Sequence, residues 1–195
     1  MKKYLVITLA LLVNFAFASL PDSDPTTDKA AATATINWMT LEEAVAAQKT
    51  NPKKIIIDAY TDWCGPCKML DKKTFHNADV VKYINDNFYA VKFDAEGNET
   101  IKFKGKTFTN PNYDPAKDLK RNSSHQLSAY FQVRAYPTII FLDNNADLVL
   151  PLRGYQTPQQ LELYLKLIAK EDYKVINTKE KWEAYQKDFK PTFQE

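Results

Sequence analysis

The 195-residue sequence has few of the residues that mark specialised classes of protein. It contains four glycines, two histidines and two cysteines. Its 26 basic and 24 acidic side chains nearly cancel, so the composition indicates neither a nucleic-acid partner nor an acidic substrate. With ten prolines and so few glycines, it is not a low-complexity chain. An apolar fraction of 45% at this length predicts one domain with a core of its own.

The N-terminus has the pattern of a secretory signal peptide. Lys2 and Lys3 precede a mostly apolar stretch, residues 4–17, and Ala16-Phe17-Ala18 fits a small-x-small cleavage site. That stretch is short for a membrane span, so an uncleaved anchor formed by residues 4–18 is the weaker alternative. We therefore expect residues 1–18 to be removed on export to the periplasm, and the polar residues 19–35 to form a flexible linker.

The two cysteines, Cys64 and Cys67, stand three positions apart. Exported proteins usually carry either no cysteine or several structural pairs, and a purely structural bridge across so short a loop would stabilise little of the chain. The spacing therefore favours redox chemistry. A zinc site is another interpretation, but zinc needs four ligands, and neither His76 nor His125 stands at finger spacing. We expect no metal, no cofactor and no role for the histidines.

Periodicity and capping signals predict alternating helices and strands. Strands are expected at 54–60, 88–94, 137–142 and 147–152. Helices are expected at 41–48, 68–73 and 158–170, with others running from Asn77 to 87, from Ser123 or Ser124 to 131, and from Asn177 to 189. A turn at 104–105 would place Ile101, Phe103 and Phe108 on one face of a small hairpin. The order predicts an α/β fold with a mixed sheet of four to five strands flanked by helices.

A buried strand followed by a turn and a helix predicts an activated thiol at Cys64. The free N–H groups and the dipole of a helix N-terminus stabilise a thiolate, and in Cys-x-x-Cys motifs the cysteine pKa falls from about 8.5 to about 3.5–7.5. Cys64 would then attack as the more exposed thiol, and the more buried Cys67 would resolve the mixed disulfide. Gly65 leaves Cys64 open to approach, and Pro66 stiffens the turn.

Two further elements are expected beside the cysteines. Asp58 interrupts an apolar strand and would point inward, toward the helix that carries Cys67. Without a cationic partner its pKa would be raised, and it could accept the proton of Cys67 as a general base; a salt-bridged structural carboxylate is the alternative. Tyr136-Pro137 opens another strand, where proline often marks a tight turn or a cis bond. Trp63 is expected to be partly packed and partly at a substrate rim.

Several segments of the chain resemble thioredoxins. Residues 58–68, around Trp-Cys-Gly-Pro-Cys, are similar to the thioredoxin active-site segment, and residues 133–140 resemble the cis-proline loop. Residues 153–155, Arg-Gly-Tyr, resemble the closing strand-to-helix turn. Residues 68–95 are closer to the thioredoxin-like domain that ends the transmembrane disulfide reductases of bacterial envelopes. The resemblance covers roughly residues 38–170.

This resemblance implies a thioredoxin fold and a set of catalytic residues. Cys64 would be the nucleophile, Cys67 the resolving thiol, Asp58 the buried base, and Pro137 a cis-proline that faces Cys64. The expected substrate contacts are Trp63, Gly65, Pro66 and Tyr136. One departure is Tyr60, which stands where thioredoxins usually carry tryptophan.

A second departure is the length of the chain before Pro137. The 42 residues from 95 to 136 exceed what thioredoxins have there, so we expect a thioredoxin-like domain at 36–170 with an insert at 95–122. Residues 171–195 would form a C-terminal helical extension. The apolar residues of the insert would form either a small satellite core or a docking hairpin for a partner.

The sequence supports three hypotheses about function. The first is a monomeric periplasmic reductase of protein disulfides, which receives electrons from a membrane disulfide reductase. The second is an oxidase or isomerase, distinguished from the first by its reduction potential. The third is a thioredoxin-like module that only binds a partner, and whose function would survive loss of both cysteines.

Overall fold

The computed structural model describes residues 35–117 and 119–195. The expected signal peptide, residues 1–18, and all but the last residue of the expected linker, 19–35, lie outside the described residues. Within the described ranges no helix combines the length and apolar character needed to cross a membrane.

Helices and strands alternate as the sequence predicts. The strands are β1 (Trp38–Met39), β2 (Lys54–Tyr60), β3 (Phe88–Asp94), β4 (Ile101–Phe103), β5 (Lys106–Phe108), β6 (Thr138–Leu142) and β7 (Leu148–Arg153). The helices are α1 (Leu41–Gln48), α2 (Gly65–Leu70), α3 (Ala78–Asn87), α4 (Gln126–Tyr130), α5 (Pro158–Ala169) and α6 (Lys179–Asp188). A π-helical turn, Asp71–Phe75, extends α2.

One mixed sheet has the strand order β1-β3-β2-β6-β7, in which β2 is parallel to β3 and antiparallel to β6. Strand β2 lies at its centre, and its isoleucines are buried on both faces, as a continuous apolar run predicts. Because side chains alternate along a strand, Ile55 and Ile57 pack toward α1 and α4, whereas Ile56 packs toward α2, α3 and α5. Asp58 follows Ile56 on the latter face.

Local capping signals are confirmed at three helices and wrong at two. The capping box of Thr40 and the caps at Asn77 and Thr157 occur as predicted. Helix α4 is capped by His125 rather than by a serine: its Nδ1 accepts the Leu127 N–H at 3.1 Å. The His125 Nε2–H donates to the Glu99 carbonyl at 2.8 Å, and this bond explains why the buried ring takes the cap position.

The start of helix α6 also differs from the prediction, whereas the start of helix α2 agrees with part of it. Helix α6 is capped by Thr178 instead of Asn177. Helix α2 begins at Gly65, directly after Cys64, as expected for the turn that carries the cysteines, although helical composition alone indicates only residues 68–73. The edge strand β1 was not predicted, because two residues carry no periodic signal.

The insert contains the predicted hairpin, β4–β5. Ile101, Phe103 and Phe108 are buried in the same apolar cluster as Leu127 and Phe131. These three residues are therefore folded back against the domain and do not form an exposed docking face, but they extend the main core instead of forming the separate satellite core that was expected.

A single side chain ties the two ends of the insert together. The Asn110 Nδ2 donates to the carbonyls of Glu96, Gly97 and Ser123 at 3.2, 3.0 and 2.7 Å. The Ser123 hydroxyl donates back to Asn110 Oδ1 at 2.7 Å. Residues 96–97 and 123 are thereby held beside each other.

The C-terminal residues are attached to the body by a buried carboxylate. Glu162 of α5 is 0% exposed and accepts the backbone N–H groups of Thr192 at 2.7 Å and Phe193 at 2.9 Å. Lys166 forms an ion pair with the same carboxylate. Burial acts to raise the pKa of Glu162, but the Lys166, Phe193 and Thr192 bonds together lower it below its usual value. The Phe193 ring packs against Tyr83.

Candidate active site

Cys64 and Cys67 are joined by a disulfide where β2 gives way to α2. Cys64 occupies the N-cap position, and its Sγ accepts the Cys67 N–H at 3.1 Å. Pro66 lies in the first turn, where its missing N–H costs no hydrogen bond. A Cβ on Gly65 would meet no atom within 4 Å, so the surface beside Cys64 is open.

The predicted difference in exposure between the cysteines is wrong for this disulfide form. Cys64 is 2% exposed and Cys67 is 5% exposed. The reason is that Cys64 lines a groove of about 700 Å³ whose walls come from sequence-distant segments. A residue with groove walls around it loses solvent exposure, even where a substrate segment could still enter.

The predicted substrate contacts lie together in this groove. Trp63, Gly65, Pro66 and Tyr136 line it with Cys64. Additional wall residues come from the insert and from the expected cis-proline loop before β6: Glu96, Arg121, Asn122, Ser124 and residues 133–135.

Trp63 is held from three directions. Its Nε1–H donates to Glu96 Oε2 at 2.8 Å, and its ring meets Tyr136 edge-on at 5.9 Å between centroids. The Arg121 guanidinium carbon lies 4.7 Å from the Trp63 ring centroid, a cation–π distance. The Asn122 N–H donates to the same Glu96 oxygen at 2.7 Å. The two ends of the insert therefore fix the indole that borders Cys64.

The Tyr136–Pro137 peptide bond is cis, as the resemblance implied. The Pro137 carbonyl accepts the Gly154 N–H at 2.8 Å, and Gly154 has a φ of +86°, a value that favours glycine. The residues before Pro137 line the groove together with Cys64. That Pro137 itself faces Cys64 stays a prediction.

Asp58 is 2% exposed on the sheet face that packs against α2, as predicted. The expectation that it lacks a cationic partner is wrong, because Lys92 Nζ lies 3.2 Å from its Oδ2. Its Oδ1 is buried without a hydrogen-bond partner. Burial raises the pKa of Asp58 from 3.8 to about 6, although Lys92 opposes the rise; the nearby carboxylate of Asp71 adds to it.

Lys92 connects Asp58 to the helix that carries the cysteines. Its Nζ lies 2.7 Å from Asp71 Oδ1, at the C-terminal end of α2, and 5.0 and 5.1 Å from the ring centroids of Trp38 and Tyr60. Burial acts to lower the pKa of Lys92, but the two carboxylates raise it above its usual value.

Lys92 was not among the residues expected at the site, although the sequence contains a signal for it. Because side chains alternate along a strand, Lys92 lies on the same sheet face as Phe88 and Ala90, the face that packs against α2. The parallel register then sets it beside Asp58.

Neither histidine lies among the groove residues. His76 contacts the Asp71 carbonyl at 2.7 Å, and His125 caps α4. Across residues 35–117 and 119–195, no three His, Cys, Asp or Glu side chains are grouped so that they could hold a metal ion.

Comparisons with known proteins point to one family. The family model described as thioredoxin-like domain matches residues 41–169. The thiol:disulfide interchange protein DsbD of Haemophilus ducreyi is 26% identical over 145 residues, which cover 73% of this chain and 21% of that protein. Its namesake from Vibrio cholerae is 33% identical over 63 residues, 32% of this chain and 10% of that protein. The chain thus spans about a fifth or less of these curated relatives.

Solved structures agree on the fold. A thioredoxin-fold protein from Helicobacter pylori superposes with a TM-score of 0.54 at 20% identity, over 75% of this chain and 96% of that one. A thioredoxin from Thermus thermophilus gives a TM-score of 0.50 at 14% identity, over 69% and 87%. This likeness shows the fold, and the predicted fold class is confirmed.

Proposed function

The chain belongs to the thioredoxin-like family of thiol–disulfide oxidoreductases, and from this premise we propose that it is an exported, monomeric enzyme that reduces protein disulfides. The observation that carries the proposal is the Cys64–Cys67 disulfide at a helix N-terminus, with Cys64 lining a groove. The printed name of the relatives, thiol:disulfide interchange protein, supports exchange as the chemistry.

The first step of the proposed cycle is attack by reduced Cys64. Its thiolate is stabilised by the Cys67 N–H and by the positive end of the α2 dipole. A bond forms between Cys64 Sγ and one substrate sulfur, and the second substrate sulfur leaves as a thiolate that takes up a proton. Trp63, Gly65, Pro66 and Tyr136 hold the substrate segment.

The second step releases the substrate. Cys67 gives its proton to Asp58, directly or through water, and attacks the Cys64 sulfur. The Cys64–Cys67 disulfide forms, and the remaining substrate sulfur leaves reduced. A carboxyl with a pKa of about 6 is largely ionised at neutral pH and can accept this proton, while Lys92 holds its second oxygen. Two electrons from an external dithiol, which we assign to a membrane disulfide reductase, restore the dithiol form.

The same residues would support an oxidase or isomerase if the disulfide were the less stable form. The resemblance of Gly65-Pro66 to reducing thioredoxins favours reduction. Equilibration with glutathione and with dithiothreitol measures the potential: about −270 mV is expected, and a value near −120 mV would establish an oxidant instead. Thiol trapping in living cells should find the pair mostly reduced.

A partner-binding module is the remaining alternative. The Cys64→Ser/Cys67→Ser double variant should lose the cellular function of the wild type, whereas a pure binding module would keep it. Cys67→Ser alone should accumulate mixed disulfides with substrates, because the intermediate cannot resolve.

Export is tested separately from the chemistry. Fractionation followed by mass spectrometry should find the protein in the periplasm with Ser19 as its first residue. If the protein is recovered in the membrane fraction and still carries residues 1–18, the anchored form is favoured.

A further inference from the structure

Two arginines from separate segments line the groove that contains Cys64. Arg121 belongs to the end of the insert, and Arg134 lies in the loop before Pro137; both are exposed. A guanidinium group presents several N–H donors in one plane and matches the two oxygens of a carboxylate.

The groove offers one carboxylate of its own, and that carboxylate is occupied. Glu96 is 6% exposed, and its Oε2 accepts N–H groups from Trp63 and Asn122. Asp62 and Asp94 border an adjacent small pocket, not this groove. Among the charged side chains that line the groove, the two arginines are therefore the exposed ones that an entering segment meets.

Their charges are not neutralised by ion pairing with the described residues. Each ion pair found in 35–117 and 119–195 has a lysine or histidine as its cation. The near-zero net charge of the chain conceals this local excess, because the one acidic side chain that lines the groove, Glu96, is buried.

Arg121 is also held in place before a substrate arrives. Its guanidinium lies on the Trp63 ring, which Glu96 and Tyr136 fix, and Asn110 ties the ends of the insert. A group that is already positioned loses less conformational freedom on binding.

We propose that the groove selects protein segments that carry carboxylate side chains next to their disulfide, and that Arg121 and Arg134 make this selection. The inference rests on the proposed function, since it names the substrate class of the same site. It replaces the expectation, drawn from net charge alone, that no acidic substrate is indicated.

A binding measurement isolates the selection from the redox chemistry. Two fluorescent peptides share one sequence in which serine replaces the cysteine; one has Asp and Glu on both sides of it, and its twin has Asn and Gln. Wild-type protein should bind the acidic peptide about tenfold more tightly than its twin at low salt, and salt of about 0.5 M should reduce the ratio.

Variants test which residues produce the difference in affinity between the two peptides. Arg121→Gln and Arg134→Gln should each lower it to about threefold, and the double variant should abolish it. Arg121→Lys should restore part of the ratio, since the charge remains. Lys106→Gln removes one exposed positive charge from the insert hairpin, away from the groove, and should leave the ratio unchanged.

Equal binding of the two peptides by wild-type protein would overturn the inference. So would an Arg121→Gln variant that weakens both peptides equally, because that result describes support of Trp63 and not selection. Disulfide-bonded versions of the peptides test the proposed function in parallel. If reduced wild-type protein leaves both intact, the reductase assignment fails, while the binding ratio still decides the selection.

Discussion

The carboxyl of Asp58 experiences two opposing influences. Burial favours its neutral form, and Lys92 at 3.2 Å favours its charged form; burial prevails, because the pKa lies at about 6. A base of this kind is charged at neutral pH but at a cost in stability, which gives the residue two measurable signatures.

The first signature is pH-dependent stability. Because the folded pKa of about 6 exceeds the usual 3.8, the cost is absent below the lower value, grows as pH rises, and is complete above the higher one. The difference corresponds to about 3 kcal/mol. Asp58→Asn should therefore match wild type near pH 4 in urea unfolding and gain up to about 3 kcal/mol at pH 8. Asp86→Asn, at an exposed pair on α3, is the control and should show no such trend.

The second signature is kinetic. Asp58→Asn should slow disulfide exchange near neutral pH by about 10²–10⁴-fold, because it removes the base, and a wild-type rate from pH 6 to 9 would contradict that role. Iodoacetamide competition in the variant should still label Cys64 before Cys67, since the helix N-terminus is unchanged.

Lys92 should control the pH at which Asp58 works. In Lys92→Gln the carboxyl loses the cation that lowers its pKa, so the acid limb of the exchange-rate profile should move above the wild-type midpoint of about 6. Lys82→Gln, which removes a lysine from an exposed pair, should leave the midpoint in place. An unshifted profile in Lys92→Gln would show that Asp58 does not govern the rate.

Among the elements, the β4–β5 hairpin has the clearest structural role. Phe103 is buried and its ring lies 5.4 Å from that of Phe131 and 5.7 Å from that of Tyr130, measured between centroids. Phe103→Ala should cost about 3–5 kcal/mol in unfolding free energy, as other buried phenylalanines do. Lys106→Ala, exposed on the same hairpin, should cost less than about 0.5 kcal/mol. Similar values for both would mean that the hairpin is not part of the core.

Elements determined by neighbouring residues are the ones that the sequence predicts well. The Thr40–Glu43 capping box and the Thr157-Pro158 start of α5 involve residues within four positions, so their signals are complete in the sequence. The start of α2 at Gly65 was expected from the turn that carries the cysteines, although helical composition by itself begins only after them.

Features that depend on contacts between distant segments are the ones that could not be predicted from the sequence. The Asp58–Lys92 pair requires the register of β2 against β3, and the His125 cap requires the Glu99 carbonyl. The burial of Cys64 requires walls that come from the insert and from the loop before β6. The catalytic motif could be located from the sequence, whereas its electrostatic surroundings could not.

At the scale of the whole molecule, Glu162 connects the C-terminal segment to the domain. Removing residues 190–195 would leave this buried carboxylate facing Lys166 alone, so the truncation should cost about 2–4 kcal/mol. Glu162→Leu in the truncated chain should recover part of the loss, and urea unfolding of the double-mutant cycle measures the coupling. If the effects of the truncation and of Glu162→Leu are additive, Glu162 does not stabilise the C-terminal segment.

The same contact should be sensitive to acid. Because the folded pKa of Glu162 is lowered, its contribution is present above the usual 4.5 and declines as pH falls through the lowered value. The stability gap between full-length and truncated chains should therefore narrow in acid.

The hydrogen bonds of Asn110, which join the two ends of the insert, have a consequence for how the sequence can evolve. Its amide joins residues 96–97 to 123 and so divides the insert into two loops. The loop before Asn110 contains the hairpin, and the loop after it contributes Arg121 and Asn122 to the groove. The entropy cost of closing a loop grows slowly with its length. Either loop can therefore gain or lose residues at little cost in stability, provided that the Asn110 hydrogen bonds are kept. Insertions between Asn110 and Ser123 should thus remodel the groove wall without disturbing the hairpin or the sheet, and diversification of substrate choice can proceed independently of folding.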